Sequence, residues 1–87
     1  MKAKYSFEIM DLDDGLVAVP VGNGAEQYRG VLKINETAAS ILDLLKQDTD
    51  ESSIVDALLK EYSGDRETIS NYVHDYIGKL IEEGIVE

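Results

Sequence analysis

At Asn35 the spacing of apolar side chains changes, and that change constrains the fold more than any other feature of the chain. Before it lie three short β-prone runs, two of them with apolar residues at every second position and one continuously apolar. After it, apolar residues recur every three to four positions in three longer runs. A period of two belongs to strands, whose side chains alternate across a sheet, and a period of 3.6 belongs to helices. Nothing loop-like separates the two regimes, because Leu32, Lys33 and Ile34 lead directly into Asn35, Glu36 and Thr37. A strand must therefore pass into a helix at a tight corner.

Tyr5, Phe7 and Ile9 alternate with Ser6, Glu8 and Met10, and Leu16 to Val21 form a second β-prone run. Asp13, Asp14 and Gly15 lie between them. These residues tolerate the backbone of a tight turn, so residues 5–21 are expected to form a hairpin. Pro20 lacks an N–H for a ladder and belongs at an edge or a strand end. Residues 22–27 read as a loop. Tyr28, Gly30, Leu32 and Ile34 then alternate with Arg29, Val31 and Lys33 in a third expected strand, 28–34.

Asn35 is a favoured N-cap, and Glu36 suits the positive end of the helix dipole. The first helix is expected over about 36–46, burying Ala38, Ile41, Leu42 and Leu45. A second, capped by Thr49 or Asp50, runs to about Tyr62 with Ile54, Val55, Leu58 and Leu59 inward. Gly64 stops it. Asp65 caps a third, about 66–83, with Ile69, Val73, Tyr76, Ile77 and Leu80 inward. Gly84 ends that helix before an apolar tail, Ile85 and Val86. The order β-β-β-α-α-α predicts an α+β, winged-helix-like domain in which a three-stranded antiparallel sheet covers one side of three helices. At 87 residues, the chain 1–87 is expected to be a single domain.

Charge and composition narrow the function. The net charge is −10, and residues 35–87 hold four bases against thirteen acids. A half-chain at −9 repels a phosphate backbone, so nucleic-acid binding is not expected even though the topology permits it. The acids suit either a solvated helical surface or attraction of basic partners. There is no cysteine, and His74 is the lone histidine, on the outer side of its helix. Zinc sites and Cys–His or Ser–His–Asp machinery are not expected. Gly22 and Gly24 lack the third glycine and the following helix of a dinucleotide loop. Asp11, Asp13 and Asp14 lack the later ligands of a calcium loop. No cofactor, metal or catalytic residue is expected, and no membrane span or signal peptide is seen. The protein is expected to be cytoplasmic and to bind rather than catalyse.

Leu32 to Ala39, reading Leu-Lys-Ile-Asn-Glu-Thr-Ala-Ala, resembles the L-N-x-T-(A/G) signature of the PqqD-like family. Ile41 to Leu45 are similar to its I-W-x-L-L, and Thr49 to Ile54 to its T-x-x-E-I. Tyr62, Val73, Tyr76, Leu80 and the ending Gly84, Ile85, Val86 fall where that family places an aromatic, V-x-x-F/Y, L and G-L-I/V. Two positions depart from the pattern: Lys46 stands where members often carry Gly, and Tyr72 where they often carry Asp. The resemblance implies a RiPP recognition element. In such a module the leader segment of a ribosomally made precursor adds as a strand to the third strand, lies against the third helix, and is passed to a maturation enzyme, commonly a radical SAM enzyme.

On that reading the third strand supplies Tyr28, Arg29, Val31, Leu32 and Lys33, and the third helix supplies Tyr72, Asp75, Tyr76 and Lys79. Strand addition needs an open backbone edge, with side-chain pockets for specificity. Structural duties compete for several of these residues. Val31, Leu32 and Tyr76 also fit a core, and Lys33 also fits the guarding of an exposed edge. Asn35 is read as a structural bracket. Two copies joined edge to edge, or a carrier protein modified at Ser52 or Ser53, are the remaining alternatives.

Overall fold

The computed structural model describes residues 1–22 and 30–86. Strands β1 (Ser6–Leu12) and β2 (Gly15–Val21) form the expected hairpin, in register from Ser6 opposite Val21 to Leu12 opposite Gly15. Asp13 and Asp14 make the turn, and Gly15 accommodates a φ of 131° that a side chain would resist. The third strand, β3 (Leu32–Ile34), pairs antiparallel with Leu16–Ala18, giving the order β1-β2-β3. β3 is shorter than the spacing predicts. Gly30 adopts φ 120° and Val31 falls outside the strand, so pairing begins only at Leu32. Pro20 sits in the middle strand of the sheet rather than an edge strand. Its end of β2 extends three residues beyond the pairing with β3, so its missing N–H interrupts no ladder bond on that side.

Three helices follow: α1 (Glu36–Leu44), α2 (Glu51–Glu61) and α3 (Arg66–Glu82). Each opens in the same way. The side-chain oxygen of Asn35, Asp50 or Asp65 accepts the backbone N–H three residues on, at 2.8, 2.7 and 2.8 Å. α3 closes on a Schellman turn. Gly84, at φ 76°, donates to the Ile81 carbonyl, and Ile85 donates to Leu80. Helices as short as α1 and α2 are marginal alone, since isolated segments under about 12–15 residues barely hold in water. Burial of their apolar stripes stabilises them instead.

That burial is shared by every element. Ile41, Leu45, Ile54, Leu58, Val73, Leu80 and Ile85 are fully buried, and Phe7 and Ala18 bring the sheet into the same cluster. Ala18 has no bulk to hold the helices away from the middle strand. The chain ends join the core together. Ala3 forms a bridge with Val86, its N–H donates to the Leu45 carbonyl, and Lys4 donates to Ile85. Among the described residues no helix is long and apolar enough to cross a membrane.

Two caps carry a pH signature. The Ser53 N–H holds the Asp50 carboxyl below its ordinary 3.8, and the Thr68 N–H does the same for Asp65. Both groups are more acidic folded than unfolded. Their contribution is therefore complete above the ordinary carboxylate value and is lost as pH falls through the lowered folded one. Denaturation midpoints should drop on acidification through that window. An Asp50→Asn/Asp65→Asn variant keeps both acceptors and should flatten the acid limb. An unchanged slope would remove the caps from the explanation.

Candidate functional site: a groove between the third strand and the third helix

α3 lies beside the end of β3, and an open groove of about 540 Å³ runs between them. Lys33 and Ile34 of β3 form one wall. Tyr72, Asp75, Tyr76 and Lys79 of α3 form the other; the 72/76 and 75/79 pairs are four apart and the 72/75 and 76/79 pairs three apart, so one helical face presents all four. Asn35 and Ala38 close the corner at the start of α1. The strand-to-helix corner seen in the sequence is thus an end of the groove.

Tyrosines dominate the helical wall. The rings of Tyr72 and Tyr76 stack with centroids 6.3 Å apart and planes 13° from parallel. Tyr72 is 37% exposed, and its hydroxyl donates to Asn35 Oδ1 at 3.2 Å. The same oxygen already accepts the Ala38 N–H that caps α1. One carboxamide oxygen therefore holds both the helix start and the groove rim, using both of its acceptor sites. Tyr72 also borders a second hollow of about 270 Å³, between the end of α2 and the start of α3, beside Leu58, Tyr62 and Ile69.

Five of the nine residues expected from the sequence line this groove: Lys33, Tyr72, Asp75, Tyr76 and Lys79. Leu32 is half-buried and packs against the core instead. Val31 is 57% exposed and lies outside both the strand and the groove wall. Tyr28 and Arg29 lie outside the described residues. Three lining residues were absent from the expected set. Ala38 and Ile34 look like core positions, and Asn35 looks like a cap only. Nothing in the sequence pairs Asn35 with Tyr72, which is 37 residues away.

The order β1-β2-β3 leaves the far side of β3 unpaired among the described residues, and Lys33 and Ile34 of that strand line the groove. β1 is the other outer strand and is longer; a hollow along it, lined by Tyr5, Phe7 and Ile9, measures about 10 Å³, and one of about 470 Å³, lined by Lys2, Lys4, Tyr5 and Lys46, reaches only its first residue, Ser6. Among the described residues, the cleft at the β3 edge is walled by a helical face bearing two tyrosines.

No curated protein matches the sequence. Among solved structures, TbiB1 in complex with the TbiA(beta) leader peptide is similar, with 25% identity and a TM-score of 0.71 over 100% of this chain and 95% of that one. Lasso peptide synthetase B1 complexed with the leader peptide is similar in fold, with 20% identity and a TM-score of 0.66 over 97% of this chain and 93% of that one. The family of coenzyme PQQ synthesis protein D matches residues 10–86, which takes in all three helices, β2, β3 and the end of β1. The chain belongs to the coenzyme PQQ synthesis protein D (PqqD) family.

Proposed function

We propose that this protein is a leader-peptide recognition module. It holds the leader of a ribosomally made precursor as an added strand on β3, against α3, and presents it in the cytoplasm to a maturation enzyme of the radical SAM type. The observation that carries this reading is the open edge of β3 beside the tyrosine-walled groove. Residues 1–87 act as one unit in this role, which is binding rather than catalysis. The similar fold of two proteins in complex with leader peptides supports it.

Magnitudes say how the work divides. Backbone groups alternate sides along a strand, so three residues offer two or four hydrogen bonds at a free edge. At about 1 kcal/mol net each, they fall short of the roughly 8 kcal/mol of a micromolar complex. Side chains in the groove must contribute the remainder, and Tyr72, Tyr76, Lys33 and Lys79 are the residues placed to do so, with Asp75 between them. Val31 and Leu32 are assigned to the strand side, and Tyr28 and Arg29 are proposed as further contacts of the same peptide.

Titrating the labelled protein with a synthetic leader encoded beside its gene tests this by NMR. The amides of Val31 to Ile34 and of Tyr72 to Lys79 should move together, with protection from exchange appearing on β3. Shifts confined to the exposed surface of α1 and α2 would rule out strand addition.

A further inference from the structure

Resting on that reading, we infer that the groove selects a peptide with an acidic side chain within one or two residues of an apolar one. The overall charge argues the opposite way. A chain at −10 attracts bases, and most of that excess belongs to the helical half. The groove departs from this pattern. It carries Lys33 and Lys79 against a lone acid, Asp75, and so is locally positive.

These two lysines are also available. Lys46 and Arg66 are committed to Asp43 and Asp56. Neither Lys33 nor Lys79 lies within ion-pair distance of a described acid, although Asp75 and Glu83 stand four residues from Lys79 on either side. They come from opposite walls, one from the strand and one from the helix. A carboxylate on a strand laid between those walls meets a cation on each side. Tyr72 and Tyr76, stacked beside them, would shield such contacts from water once a peptide covers the groove.

Distance decides between local and global charge. The molecule extends 38 by 31 by 19 Å, whereas charge is screened over about 8 Å at physiological salt. Acids on the remote sides of α1 and α2 act through several screening lengths, and the groove lysines act at contact. The apolar requirement comes from Ile34, Ala38 and Tyr76. They give the groove an apolar stretch next to its charged one. In an extended strand these demands fall on neighbouring or next-neighbour residues.

The test is selection from a random library of displayed twelve-residue peptides against the purified protein at physiological salt. Wild type should enrich peptides bearing Asp or Glu close to an apolar residue. A Lys33→Glu/Lys79→Glu variant should bind those peptides at least tenfold more weakly and enrich Lys or Arg in their place. Both positions are exposed, so the variant should fold, and a thermal melt checks that. Enriched peptides that are neutral or basic yet shift the amides of β3 and Tyr72 to Lys79 would overturn acid selection and leave peptide binding standing. Enrichment of nothing, or only of peptides that leave those amides unmoved, would overturn both.

Discussion

Ile85→Ala should cost about 2–5 kcal/mol, as large as any substitution in the middle of a helix. The position is close to the end of the described chain, where substitutions are ordinarily tolerated. Here it is fully buried. Its N–H completes the turn that ends α3, and its carbonyl accepts from Lys4 at 2.7 Å. With Val86 bridged to Ala3, the two termini form a small clamp under the helices. Removing most of the side chain opens a cavity at that junction. The check is a denaturant titration with the slope held in view. A loss below about 0.5 kcal/mol, the range of ordinary surface changes, would show that the tail is ornamental.

Tyr76→Ala should weaken binding of a peptide selected for the groove by about 10–100-fold, or about 1.4–2.8 kcal/mol. Tyr76 is half-buried, stacked on Tyr72 and placed midway along the helical wall. Tyrosines in such central, partly desolvated positions dominate many interfaces, because a rigid ring covers much area at little entropic cost. Fluorescence anisotropy with a labelled peptide reads the affinity, and a thermal melt of the same variant reads the fold. A variant that melts lower but binds as tightly as wild type would assign Tyr76 to the core alone.

Local chemistry made most of the fold legible. Asn35, Asp50 and Asp65 each cap the helix that their position announces, and the apolar stripes of Ile41, Leu58 and Val73 face inward as their period requires. The groove was half legible for the same reason. Tyr72, Asp75, Tyr76 and Lys79 share a face because of helical spacing, and Lys33 projects from a strand whose neighbours point inward. What escaped depends on contacts between distant segments. β3 is three residues long because Gly30 turns the chain before it, which alternation alone does not reveal. The clamp of Ala3 on Val86 and the bond from Tyr72 to Asn35 join residues that no local pattern connects.

That last bond gives Asn35 two masters. Its Oδ1 sets where α1 begins and also fixes the ring that borders the groove. A helix cap is normally free to vary among Asn, Asp, Ser and Thr, because all of them satisfy the same N–H. Here a shorter hydroxyl keeps the cap but withdraws the acceptor from Tyr72, and a carboxylate keeps both while placing a charge at the groove mouth. Drift at this position is therefore confined by two unrelated demands. A lineage that reshapes its groove must either retain this asparagine or change Tyr72 along with it.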